Sequence, residues 1–100
     1  LFKIVKKYYK KPRRGEPIIR YKAKDSNENF RLDKGDKIII RIDPALKKRR
    51  DIERSLMKHE KTELMLRAKG VKLNKAHRIA RSKEPKLTRN KSLNDIWKML

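Results

Sequence analysis

Residues 33–44 read Asp33-Lys34-Gly35-Asp36-Lys37-Ile38-Ile39-Ile40-Arg41-Ile42-Asp43-Pro44, and they hold a turn, a strand and the start of a helix. Asp33-Lys34-Gly35-Asp36 is polar, and Gly35 is free to take positive φ, so it reads as a hairpin turn. Ile38, Ile40 and Ile42 fall on one face of a strand, which β-branching favours. Asp43 is a good N-cap, and Pro44 suits the first helical position. Upstream, Ile19, Tyr21 and Ala23 alternate with Arg20, Lys22 and Lys24, the period of a half-buried strand. The polar run Asp25-Ser26-Asn27-Glu28-Asn29 follows, then Phe30 and Leu32 alternate again, with Phe30 read as core. The expectation is a β-meander over residues 17–42. Its one apolar face needs a cover.

The cover expected is one long helix from the Asp43 cap to Lys69, stopped by Gly70. Ala45, Ile52 and Leu66 keep a seven-residue spacing, with His59 filling the gap. Leu56, Met57, Leu64 and Met65 flank that stripe, with Met57 and Met65 read as core filler. Glu63 and Arg67 are set for an i,i+4 pair. A short helix over residues 75–82 ends at Pro85, and Ser92-Leu93-Asn94-Asp95 resembles a capping box. In that last helix Leu93, Ile96, Trp97 and Leu100 line one side. The expected fold class is α+β: a small three-stranded antiparallel β-meander packed on one long α-helix, with a basic N-terminal arm and a basic C-terminal extension carrying short helices. The divisions are residues 1–16 (arm), 17–70 (α+β domain) and 71–100 (extension).

Charge sets the function class. Among 100 residues, Lys and Arg number 32 and Asp and Glu 12, giving a formal net charge of +20. Such a charge opposes compaction unless an anion neutralises it, and nucleic acids are the usual anions. Ten Leu, ten Ile, two Val and two Phe make a thin core, just above the level of about 20% at which high charge predicts disorder. No apolar run approaches the ~20 residues that cross a bilayer.

Catalytic and metal chemistry find little support in the spacing. The absence of cysteine excludes disulfides and thiolate metal sites. Gly15, Gly35 and Gly70 are the only glycines, too few for a phosphate-cradling loop or a dinucleotide fingerprint. His59 and His77 stand 18 residues apart without ligand-like spacing. His59 reads as a helix-face residue and His77 as a weak phosphate contact at most. No triad signature or calcium loop is present. The chain reads as a non-enzyme, with no cofactor, no metal, no small-molecule substrate and no membrane partner.

Three basic tracts are the expected RNA contacts. The first is Lys6, Lys7, Lys10, Lys11, Arg13 and Arg14. The second is Lys47, Lys48, Arg49 and Arg50 at a helix amino end, where free N–H groups also attract anions. The third is Lys72, Lys75, Arg78, Arg81, Lys83, Lys86, Arg89 and Lys91, within a stretch of residues 67–91 that carries ten bases and one acid. Tyr8 and Tyr9 have two readings, stacking on splayed bases or packing in the sheet. Trp97 also has two, docking on a protein neighbour or closing the protein's own core.

The small basic domain, the arm Lys6-Lys7-Tyr8-Tyr9-Lys10-Lys11-Pro12-Arg13-Arg14 and the basic tract from Arg67 to Lys91 resemble ribosomal proteins as a class. The resemblance spans the chain and is compositional, so no residue roles carry over from it. Lysine- and isoleucine-rich usage, with the loss of an N-terminal peptide as an expectation, is similar to mitochondrial ribosomal proteins. The resemblance implies a structural constituent of the ribosome that binds ribosomal RNA through backbone and shape contacts, beside neighbouring ribosomal proteins. It would sit in the mitochondrial matrix, or otherwise in the cytoplasm. The alternatives are a DNA-binding or chromatin-associated module, a ribosome-assembly or RNA-processing factor, and a docking module for an acidic protein.

Overall fold

The computed structural model describes residues 2–21 and 35–100. Within them lie strands β1 (Lys3–Tyr8), β2 (Ile19–Tyr21) and β3 (Lys37–Ile42). A 3-10 helix (Pro44–Lys48) follows, then helices α1 (Arg50–Ala68), α2 (Leu73–Lys83) and α3 (Leu93–Met99). The expected strand around Phe30 and Leu32 falls outside the described residues, as do Ala23 and most of the Asp33–Asp36 turn. Gly35, at that turn's edge, has φ +91°, the left-handed region that glycine enters freely.

The sheet is mixed, not an antiparallel meander, and its order is β1-β3-β2. Six residues assigned to the arm form β1, which runs parallel to β3, with Ile4 opposite Ile38 and Tyr8 opposite Ile42. β2 pairs antiparallel with β3, with Ile19 opposite Ile42 and Tyr21 opposite Ile40. The reason is geometric. The chain reverses between β1 and β2 and again before β3, so β1 and β3 point the same way. β3 then fills the centre, because Ile38, Ile40 and Ile42 make it the most apolar strand; they are 3%, 0% and 0% exposed. Lysines 3, 6 and 7 mark β1 as an edge that resists further strand pairing.

The single long helix is also corrected: its expected span breaks at Arg49 into the 3-10 helix and α1. Asp43 does cap, its side chain accepting from the Ala45 N–H. It is fully buried. Its other oxygen accepts the Arg13 N–H at 2.7 Å, and its own N–H donates to the Ile18 carbonyl at 2.8 Å. One carboxylate thus holds both a helix start and the loop of residues 9–18. Asp43→Ala should cost about 2–3 kcal/mol, the cap plus the Arg13 N–H left without its acceptor. Urea unfolding measures it; a loss under about 0.5 kcal/mol, the size of an ordinary surface substitution, would mean the loop is held elsewhere.

Among the described residues the core is Ile18, Ile38, Ile40, Ile42, Leu46, Ile52, Leu56, Met57, Leu64, Ile96 and Trp97. The helical stripe is therefore real over Ile52, Leu56, Met57, His59 and Leu64, but Met65 is 44% exposed and is not core filler. Gly70 ends α1 as expected. Its N–H bonds the Arg67 carbonyl and that of Val71 bonds Leu66, a Schellman turn with Gly70 at φ +93°. That turn folds α2 back on α1, and Ala76 and Ala80, one turn apart and fully buried, let the two helices approach closely. α3 has the expected capping box between Ser92 and Asp95. Ile96 and Trp97 enter the core and Leu100 packs against it, while Leu93 is 39% exposed and borders the same pocket as Ile96.

Candidate nucleic-acid interface

Of the eighteen basic residues in the three expected tracts, sixteen are exposed, and Arg49 and Arg89 are partly so. The fold uses several of them. The Arg49 guanidinium grips Asp51 twice, at 3.2 and 3.1 Å, and donates to the Met99 carbonyl at 2.9 Å. Arg50 Nη1 donates to the Tyr8 hydroxyl and to Glu53. Lys6 Nζ lies 3.4 Å from the same Glu53. These three bind the protein to itself, whereas Lys47 and Lys48 remain exposed.

The aromatic side chains already carry cations. Lys47 Nζ sits 4.8 Å from the Tyr8 ring centroid, and Arg13 Cζ sits 4.7 Å from that of Tyr9. Tyr8 packs against the core and its hydroxyl donates to Glu53. That is the sheet-packing reading, with one ring face taken. Trp97 is in the protein's own core, 4% exposed, with Nε1 donating to the Glu16 carbonyl at 3.0 Å. Its ring has no surface to offer a partner in this fold.

Glu53 is the acid that organises this region. Burial alone would raise its carboxyl, but hydrogen bonding from Tyr8 and the charges of Lys6 and Arg50 outweigh that and hold it below its usual value. A carboxyl lowered on folding contributes stability above its unfolded value, and that stability is lost as pH falls through the folded value. Native protein should therefore lose stability below about pH 4.3, and Glu53→Gln should flatten that acid limb in urea midpoints. An identical limb in the variant would remove Glu53 from the acid response.

Two groups of cations escaped the sequence reading. The first is on the open face of the sheet. Strand alternation and register turn Lys3, Val5, Lys7, Arg20, Lys37, Ile39 and Arg41 to that side. Five of these seven are basic and none is acidic. Lys7 stands opposite Arg41, and Arg41 opposite Arg20, so three cations form a row across three strands. Neighbouring strands are about 4.8 Å apart. The signal was visible in the alternation of Arg20 with Ile19 and Tyr21; only the parallel pairing of β1 with β3 completes the row.

The second group is on α1. Arg54, Lys58 and Lys61, spaced four and three residues, share a face and line a groove of about 380 Å³ with Lys6.

The histidines are not isolated. The α1–α2 turn brings His77 to His59 and Glu63. His59 Nε2 lies 3.3 Å from Glu63 Oε2 and 3.3 Å from His77 Nδ1, and His77 Nδ1 lies 3.0 Å from Glu63 Oε2. On its far side His59 Nδ1 lies 2.7 Å from Glu84 Oε1, without the alignment of a regular hydrogen bond. The Tyr21 hydroxyl donates to Glu63 Oε1 at 2.5 Å and accepts from Arg67 at 3.0 Å, so Glu63 and Arg67 meet through it. Burial alone would raise Glu63, but hydrogen bonds from His59, Tyr21 and His77 hold it down at about 2. The Glu63 hydrogen bond raises His59 above its usual value. Burial pushes Glu60, beside them, up to about 8. The missed signal was His59 and Glu63 four apart on one helix face. Comparison with protein families, with curated proteins and with solved structures finds no match to this chain.

Proposed function

We propose that this protein binds structured RNA through its basic sheet face and basic tracts, as a structural constituent of the ribosome in contact with ribosomal RNA. The observation that carries the RNA-binding reading is the cross-strand row Lys7, Arg41 and Arg20. Like charges directly opposite on neighbouring strands are destabilising. A row of three, on a face without acids among the strand residues, gains its compensation from a polyanion. Phosphates supply it, and the counterions they release drive association. The ribosomal part rests on the compositional resemblance and the net charge of +20.

A basic surface built from strands and helix faces favours backbone and shape recognition. No observation favours the DNA-binding alternative specifically. Competition binding separates them: labelled ribosomal RNA fragments are displaced by unlabelled structured RNA or by duplex DNA over a range of salt. The RNA reading expects structured RNA to compete at least about tenfold better than duplex DNA, with a steep salt slope for both. Duplex DNA competing better would replace this reading with the chromatin one.

A further inference from the structure

We propose that His59, Glu63 and His77 form a binding site for a single divalent transition-metal ion, zinc(II) being the ion whose geometry it fits, with Glu84 orienting His59 from behind. This site is independent of the RNA-binding reading.

The donor set comes first. The three groups place one ligand atom each within 4.8 Å of one another. Two imidazole nitrogens and a carboxylate oxygen are a set that zinc accepts, and three protein ligands leave a fourth position open.

Geometry narrows the reading. The edges of the triangle formed by His59 Nε2, Glu63 Oε2 and His77 Nδ1 are 3.3, 3.3 and 3.0 Å. Tetrahedral zinc with bonds of about 2.0–2.1 Å separates its ligand atoms by about 3.3 Å. A triangle of this size has a circumradius of about 1.9 Å, so an ion at bonding distance from all three atoms sits about 0.9 Å out of their plane. That is the placement of a three-ligand tetrahedral centre. The two rings meet edge to face at 68°, with centroids 4.9 Å apart.

The surroundings supply what such a site needs. A metal-bound histidine usually presents its other ring nitrogen to a carboxylate, which fixes the tautomer. His59 Nδ1, in a side chain only 10% exposed, has Glu84 Oε1 at 2.7 Å and no regular hydrogen bond. With the ion on Nε2, Nδ1 carries the proton and faces that carboxylate. The second oxygen of Glu63 is held by Tyr21 at 2.5 Å, which directs its first oxygen toward the histidines. The His77 side chain is 52% exposed, so an ion has a path in, and the two histidines border a pocket of about 260 Å³ shared with Glu60 and Arg81. In a chain of net charge +20, the Glu63 carboxylate meets both histidines and that of Glu84 meets His59.

The test titrates the chelator-treated 100-residue chain, free of RNA, with zinc(II) alone by calorimetry, and with cobalt(II) by absorption. One zinc per chain is expected, and cobalt should give the intense visible bands of four-coordinate geometry. His77→Ala lies on an exposed side chain and leaves the core intact; it should weaken zinc binding by more than about a hundredfold, as should Glu63→Gln. Glu84→Gln should weaken it about tenfold to a hundredfold, the usual effect of removing an orienting partner. No zinc uptake, uptake that His77→Ala leaves unchanged, or weak six-coordinate cobalt bands would each overturn the proposal.

Discussion

Trp97→Ala should destabilise the protein by about 3–5 kcal/mol, a large fraction of the ~5–15 kcal/mol that holds a domain of this size. Trp97 is 4% exposed and packs in the cluster with Ile42, Leu46 and Ile96. Its removal leaves a cavity the size of an indole, and the Glu16 carbonyl loses the donor it has at 3.0 Å. That hydrogen bond ties the loop before β2 to the last helix, 81 residues apart in sequence. Circular dichroism against temperature should show a variant largely unfolded at 37 °C. Trp97→Phe keeps most of the packing and should lose only about 1–2 kcal/mol, the carbonyl's missing partner and the smaller ring. A fully folded Trp97→Ala protein that fails only to join a particle would return Trp97 to the docking role.

The second large effect has opposite signs in two assays. Replacing Lys7, Arg20 and Arg41 together by Gln should lower the slope of log affinity against log salt by about 2–3 and weaken RNA binding roughly tenfold to a hundredfold. The same variant should be at least as stable as the native chain when free, because two like-charge neighbours are relieved, each costing about 0.2–1 kcal/mol. Better folding with worse binding is the signature of a surface shaped for an anion. An unchanged slope, or a loss of stability in the free protein, would show that the row serves the fold instead.

How much of this was legible varies by element, for physical reasons. β3 and its cap were readable because Ile38, Ile40, Ile42, Asp43 and Pro44 are local signals that agree with one another. Gly70 and Ser92 were readable for the same reason: a stop or a cap is written within a few residues. β1 was hidden because lysines at positions 3, 6 and 7 outweighed Ile4, Val5 and Tyr8; an edge strand needs one apolar side only, and its charges look like those of an arm. The order β1-β3-β2 depends on long-range pairing that no local pattern encodes. The break falls at Arg49, whose backbone leaves the helical region at φ −132° and ψ 74° and whose guanidinium reaches the Met99 carbonyl, fifty residues away.

The site divides the same way. Exposure of the lysine tracts follows from composition, so most of those cations are where a reader of the sequence would put them. Their pairing does not. Arg49, Arg50 and Lys6 look like phosphate ligands in the sequence, and in the fold each also pairs with Asp51 or Glu53. Conversely, Arg20 and Arg41 carry no signal as a pair until β2 and β3 align them. His59 and His77 meet only because the Gly70 turn folds α2 onto α1.

The role proposed for this protein is stable residence on structured RNA within a ribosome. The direct measurement is sedimentation of native cell and organelle lysates through a high-salt sucrose gradient, with and without RNase, followed by detection of this protein in each fraction. Comigration with mature ribosomal subunits, lost on RNase treatment, is the expected result, in the compartment whose lysate carries the protein. Absence from mature subunits, with the protein on precursor particles or released from chromatin by DNase alone, would contradict it.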